Sequence, residues 1–209
     1  MRLLILIFLF AWTVSVRGQG WVSPGTFWTY SYIPGFCFCD GYVTIYYSGE
    51  DTIIDTKQCQ ILNKSLSYYD SFDSASYLIN DYGKEYIYYE NNIVYNYRYG
   101  QFFVLYNFNA VEGSSWTVAG YDDGQTCDSI AYYLVVDSTG TDTLNGLELK
   151  WMEVSQFNYP NYLGWGFTGR IYEKIGCVGY MLPEPFCIAD GNYGGPLRCF
   201  SDSTWAYET

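Results

Sequence analysis

The sequence of 209 residues contains no histidine, and this absence excludes most familiar forms of catalysis. Histidine is the usual general base near neutral pH and the commonest metal ligand. Ser–His–Asp and Cys–His catalysis are therefore excluded, and any chemistry would have to use Asp, Glu, Tyr, Cys or Lys. No catalytic or ligand-binding motif stands out among these residues, so the sequence predicts no cofactor and no metal site.

Basic residues are also scarce in this chain. It has 10 Lys and Arg against 22 Asp and Glu, which gives a formal net charge of −12. Binding to nucleic acid needs clustered Lys and Arg to neutralise phosphates, and anionic lipid surfaces attract basic segments for the same reason. The composition therefore predicts that neither nucleic acid nor an anionic membrane surface is a partner.

The chain has no apolar run of the ~20 residues that a membrane-spanning helix needs. Residues 3–16 form an uncharged run of apolar and small residues, only 14 long, after the basic start Met1-Arg2. Residues 16–18 then offer small or medium side chains at the positions that flank a cleavage site. This arrangement predicts a secretory signal peptide at 1–18, with Gln19 as the new N-terminus. We expect no transmembrane segment after cleavage.

Length limits the number of domains. The mature chain, 19–209, suffices for one well-buried domain and is short for two. We expect a single β-rich extracellular domain, with a loop-like C-terminal tail from about residue 181. The expected location is secreted or at the cell surface, with the periplasm as an alternative.

Aromatic residues are abundant, at 22% of the chain with 25 Tyr. Tyr and Phe favour strands, and Gly, Asn and Asp mark the turns between them. Short aromatic or β-branched runs recur with no helical crossover between them, which predicts successive hairpins. We therefore predict an all-β fold, an antiparallel meander curled into a barrel or half-barrel, with a β-sandwich as the alternative. The clearest predicted strands are 27–33, 41–48, 85–91, 93–99, 102–108, 130–137, 147–155 and 170–176.

Seven cysteines favour disulfides in an exported protein, with one cysteine left over. The preferred pair is Cys187 with Cys199, because it would close a Gly- and Pro-rich loop that has little core of its own. Cys59 is expected to pair with Cys39 or Cys37. A zinc site is disfavoured, since the sequence contains no Cys-x-x-Cys pair.

Several sequence strings together resemble a group of uncharacterised secreted Bacteroidetes proteins. The strings are GTFWTYSY (25–32), EDTII (50–54), LYNFNAVEGSSWTV (105–118), LNGLELKWMEV (144–154), IYEKIGCVGYMLP (171–183) and DGNYGGPLRCF (190–200). The resemblance implies a β-rich extracellular domain of a kind often followed by a type IX secretion sorting domain. It implies no catalytic residue, and the sequence up to Thr209 contains no sorting-domain pattern.

The surplus of Tyr and Trp is the best sequence clue to function, because their flat rings with polar edges suit sugar stacking and protein interfaces. The candidate ligand-binding residues are Trp165, Phe167, Tyr159 and Tyr162, in one loop. The alternative is that these residues form ordinary core at the end of the barrel. We therefore expect an exported, non-enzymatic binding or adhesion module for a glycan or protein partner. The alternatives are a polysaccharide hydrolase that uses paired carboxylates, and a structural accessory domain.

Overall fold

The protein is all-β throughout the part that its structure, a computed structural model, describes: residues 20–33, 38–119, 132–157, 167, 169–183 and 193–209. Within these ranges the strands are β1 (Thr26–Ile33), β2 (Cys39–Ile54), β3 (Lys57–Asp70), β4 (Ala75–Glu90), β5 (Ile93–Arg98), β6 (Gln101–Asn107), β7 (Ser115–Val118), β8 (Tyr132–Leu144), β9 (Leu147–Phe157), β10 (Gly169–Tyr172), β11 (Gly176–Cys177), β12 (Tyr193–Ser201) and β13 (Ala206–Glu208). The predicted fold class is confirmed.

The strands form two antiparallel sheets. The large sheet has eight strands in the order β13-β12-β1-β2-β3-β4-β5-β6, and the small sheet has five, in the order β11-β10-β9-β8-β7. Strands β1 to β6 are neighbours in sequence and in space, so they form the predicted meander. One sheet curls into a half-barrel, as expected for a twisted sheet of many strands.

The core lies between the inner face of the large sheet and the small sheet. Trp28 and Tyr30 of β1 are fully buried there, as are Leu134 of β8 and Ile171 of β10. The segment that follows β10 joins the two sheets. Trp28 Nε1 donates a hydrogen bond of 2.7 Å to the carbonyl oxygen of Ile175. Tyr30 and Tyr106 donate from their hydroxyls to carbonyl oxygens of the same segment, so these buried rings satisfy their polar groups where water is excluded.

The C-terminal region departs from the prediction. It was expected to be loop-like from about residue 181, but β12 and β13 lie within it, and β12 pairs with β1 over Phe27–Ile33. Residues Gly194-Gly195-Pro196 did not predict a strand, because glycine and proline disfavour β structure. Gly194 is needed there for packing: a Cβ atom at this position would lie 1.9 Å from the Tyr180 ring.

The predicted cysteine pairs are wrong, because neither Cys59 nor Cys199 forms a disulfide. Cys59 lies opposite Thr52, whereas Cys39 lies opposite the far end of β3. Along a regular strand the two cysteines are roughly 36 Å apart at about 3.3 Å per residue, while a disulfide needs Cα atoms within about 7 Å. The Cys187–Cys199 pair does not form either, since Cys199, on strand β12, carries no disulfide. Cys39 is disulfide-bonded, but to neither Cys59 nor Cys199.

Candidate functional site

The predicted aromatic loop falls largely outside the described residues, where Trp165, Tyr159 and Tyr162 lie. Phe167 is described and is only 2% exposed. Its ring lies nearly parallel to that of Tyr106, with 6.0 Å between centroids. Phe167 is therefore a core residue, which fits the alternative that the aromatic residues of this loop form ordinary core. A large ring between the sheets completes the core there.

The most distinctive surface of the described chain is the outer face of the large sheet, opposite the core. On strands β1, β2 and β3 every second residue points outward. Opposed residues of neighbouring strands share a face, so the pairing register arranges these outward residues in three rows of three. We call this arrangement the grid. Its rows are Phe27–Tyr46–Asn63, Thr29–Thr44–Ser65 and Ser31–Tyr42–Ser67.

Three aromatic rings of the grid are open to solvent. Phe27 is 39% exposed, Tyr42 41% and Tyr46 37%. Tyr42 and Tyr46 are four residues apart on β2, which separates them by about 14 Å at the rise of an antiparallel strand. The inward residues between them, Val43 and Ile45, are almost fully buried. The backbone beneath the rings is therefore held firmly by the core.

The other six grid positions carry small polar side chains, which are Thr29, Ser31, Thr44, Asn63, Ser65 and Ser67. Ser31 accepts a hydrogen bond of 3.0 Å from Arg198 Nε. Within the described residues, the other five make no side-chain hydrogen bond to protein groups. Their hydroxyl and amide groups are therefore available to water or to a ligand.

No grid position carries a charge, in a chain of net charge −12. Charged residues lie only around the border of the grid. At one end of β2, Asp40 pairs with Arg198 at 3.4 Å. Beside β3, Lys84 lies opposite Asn63. The grid is thus an uncharged surface of rings and hydroxyl groups on interior strands of a sheet.

A second group of rings lies on the same outer face, on strands β4, β5 and β6. We call it the edge cluster. The rings of Tyr88 and Tyr95 stack with centroids 5.6 Å apart, and those of Tyr97 and Phe102 lie 5.0 Å apart. All members are half-buried. They are Tyr86, Tyr88, Tyr95, Tyr97 and Phe102.

Lys57 borders the edge cluster on the side of β3. Lys57 Nζ lies 4.7 Å from the centre of the Tyr88 ring and donates a hydrogen bond of 2.9 Å to its hydroxyl. Lys57 also pairs with Glu90 at 3.5 Å, so the positive charge is balanced locally. The hydrogen bond with Tyr88 and the Glu90 charge raise the pKa of Lys57 above its usual value.

Beneath this region, the inner face holds a buried ionic cluster. The Glu85 carboxylate accepts hydrogen bonds from Arg98 Nη2 at 2.8 Å, from Lys64 Nζ at 3.0 Å and from Asn96 Nδ2 at 3.1 Å. Burial alone would raise the pKa of Glu85, but the two cations outweigh it and hold the pKa below its usual value. Glu85 is therefore ionised at neutral pH and acts as a structural anion.

The described carboxylates with shifted pKa values do not suit acid catalysis. Burial raises the pKa of Asp202, but hydrogen bonds from Lys174 and Thr204 lower it more, to about 2. Hydrogen bonding by Tyr88 and the charge of Lys57 likewise lower the pKa of Glu90. A glycosidase acid needs a raised pKa, so that it carries a proton near neutral pH. These groups offer no such proton.

Comparisons with known proteins show no relatives for this chain: no family model, curated protein or solved structure matches it. The resemblance to secreted Bacteroidetes domains, and with it type IX export, stays a prediction. Among the residues that the structure describes, no group of three or more His, Cys, Asp or Glu could hold a metal ion. The same part of the chain contains no helix long and apolar enough to cross a membrane.

Proposed function

We propose that the protein is an exported, non-enzymatic β domain that binds a neutral glycan on the grid. The observation that carries this proposal is the combination, on one uncharged surface, of three exposed rings with six hydroxyl or amide side chains. A sugar ring has an apolar face of C–H groups and a rim of hydroxyl groups. The aromatic rings suit the first, and the small polar side chains suit the second.

Charge supports a neutral ligand over an ionised one. The chain carries a net charge of −12, which repels uronic acids, sulfated sugars and nucleic acids. The grid has no carboxylate with which to pair a cationic ligand. None of its nine positions is an Arg, a residue enriched at protein interfaces, and the one Arg that contacts it, Arg198, lies at its border and pairs with Asp40. A neutral glycan is therefore a better match than a protein partner.

The inward side chains favour a rigid binding surface. Ile45 is fully buried and Val43 is 1% exposed, so the backbone of β2 is fixed between its two neighbours. A ligand would meet rings that are already ordered, which reduces the entropy lost on binding. Binding sites built on strands are also more precise than those on loops.

The proposal is tested with the chain from Gln19, first on a broad glycan array and then by calorimetric titration of the glycans that give a signal. We expect saturable binding to neutral glycans, and an increase in Kd of about tenfold or more for Tyr46→Ala, which corresponds to about 1.4 kcal/mol. Tyr46→Phe keeps the ring and is expected to retain most of the affinity.

Tyr133→Ala is the matched control, because Tyr133 is 48% exposed but lies on the small sheet. It should leave Kd unchanged. Thermal unfolding of each variant separates lost binding from lost folding. A blank array, or equal losses for Tyr46→Ala and Tyr133→Ala, would overturn the proposal and direct attention to a protein partner.

A further inference from the structure

The grid and the edge cluster lie on one face of one sheet, so a sufficiently long ligand could contact both. Strand β3 belongs to the grid and pairs directly with β4, which carries part of the edge cluster. In this pairing Asn63 lies opposite Lys84, and Ile61 lies opposite Tyr86. Tyr86 in turn lies opposite Tyr97 on β5, and Tyr97 lies opposite Phe102 on β6. The row Ile61–Tyr86–Tyr97–Phe102 therefore crosses from β3 to β6 beside the grid, two residues along β3 from the grid position Asn63, and it begins at Ile61, which is only 7% exposed.

Charged residues limit this surface at both ends along the strand direction, whereas across the strands it continues toward β4. Along β2, the charged pair of Asp40 and Arg198 closes one end of the grid. The other end meets the irregular pairing between Tyr47 and Asp51 and the exposed acid Glu50. Toward β4, by contrast, the single charge of Lys84 is followed by aromatic side chains. Apart from the charge of Lys84, the aromatic and polar surface thus extends at right angles to the strands.

The length of this surface exceeds what one sugar ring can cover. From β1 to β6 there are five strand intervals, which at about 4.8 Å each span about 24 Å. The distance is a minimum, since the sheet is curled and a ligand would follow its outer side. Only a chain of several sugar units could contact Phe27 at one side and Phe102 at the other.

We infer that the grid and the edge cluster are two subsites of one elongated site for a linear, neutral polysaccharide whose chain crosses the strands of the large sheet. This inference rests on the proposed function of the grid. Each subsite alone would bind weakly. A chain that occupies both would bind more tightly, because the second contact is made at a high effective concentration.

The test uses ladders of linear β-1,4-linked glucose and xylose oligomers from disaccharide to octasaccharide, together with a ladder of any other neutral glycan that the array selects. Calorimetry gives Kd for the unaltered chain, Tyr46→Ala and Tyr97→Ala. We expect Kd to fall by about tenfold or more between the shortest and longest oligomers. Tyr97→Ala should leave the Kd of short oligomers unchanged and should remove the gain that length provides.

Tyr97 is half-buried and contacts Phe102, so the alanine variant is checked by thermal unfolding. If it unfolds, Phe102→Leu tests the same subsite with a smaller change in volume. Equal Kd values for all oligomer lengths would overturn the inference, and so would full affinity for the longest oligomer in both edge-cluster variants. In either case, a loss of affinity in Tyr46→Ala would still support the grid as a binding site. If no glycan binds, or if Tyr46→Ala binds as tightly as the unaltered chain, the proposed function itself fails.

Discussion

Replacing Arg98 with Met should destabilise this protein far more than removal of a surface cation would. Arg98 binds both oxygens of Glu85 and donates a further hydrogen bond of 2.7 Å to the carbonyl oxygen of Pro183. The side chains of Arg98 and Glu85 are only 15% and 7% exposed. Methionine would fill much of the volume but would leave the buried carboxylate with Lys64 as its one ion-pair partner among the described residues. Breaking a buried pair in this way costs about 3–5 kcal/mol.

The expected change is large enough to measure by thermal or urea unfolding. For a domain of this size, 1 kcal/mol shifts Tm by about 2–4 °C, so Arg98→Met should lower Tm by about 6–20 °C. Lys57→Met is the matched control. Lys57 and Glu90 form a pair whose side chains are 40% and 50% exposed, and exposed pairs contribute about 0–1 kcal/mol. A loss for Arg98→Met no larger than that for Lys57→Met would refute the reasoning.

The pH dependence provides an independent check. The pKa of Glu85 is lowered in the folded protein by Arg98 and Lys64. A carboxyl group of this kind stabilises the fold above its unfolded pKa, and the stabilisation is lost as pH falls through the folded pKa. Glu85→Gln should therefore be less stable than the unaltered chain near neutral pH. The difference should shrink as pH falls below about 4, near the usual pKa of a Glu carboxyl.

Two further predictions concern packing and thiol chemistry. Gly194→Ala should lower the free energy of unfolding by at least about 1–3 kcal/mol, because its Cβ would overlap the Tyr180 ring. Urea unfolding measures this change, and adding Tyr180→Leu should restore part of the lost stability. An unchanged free energy of unfolding for Gly194→Ala would contradict this packing. Cys199 is half-exposed, whereas Cys59 and Cys177 are fully buried, and burial raises the pKa of Cys177 to about 11. Timed alkylation at pH 8 with peptide mapping should therefore label Cys199 first of the three, and equal labelling rates would show that the buried thiols open readily.

The fold class was predictable because the sequence repeats its strand signals consistently. Alternation of aromatic and polar residues, as in Phe27–Ile33, recurs at regular intervals with turn residues between, and no segment has helical periodicity. Two long strands were underestimated, however. The pattern predicts strands at 41–48 and 85–91, yet β2 continues to Ile54 and β4 begins at Ala75, both with irregular pairing. Gly83 adopts φ of +128° within β4, which a glycine permits without ending the strand.

The site was less predictable, because both faces of the key strands are aromatic. In β1, Trp28 and Tyr30 alternate with Phe27 and Thr29, so periodicity identifies two faces but not which one meets the second sheet. That choice depends on contacts with residues far away in sequence, such as the hydrogen bond from Trp28 to Ile175. The small side chains of the outer face, read together with the register, are the signal that could have located the grid.

The pairing of β1 with β12 has a consequence for biosynthesis. Residue 193, where β12 begins, follows the end of β1 by 160 positions. At synthesis rates of about 5–20 residues per second, β1 waits roughly 8–30 s for this partner while the edge that β12 will cover stays unpaired. An aromatic strand with an open edge is prone to pair with other chains. A nascent chain of this protein therefore exposes this edge until β12 has been made, and a truncation before residue 193 should aggregate rather than accumulate as a smaller folded product.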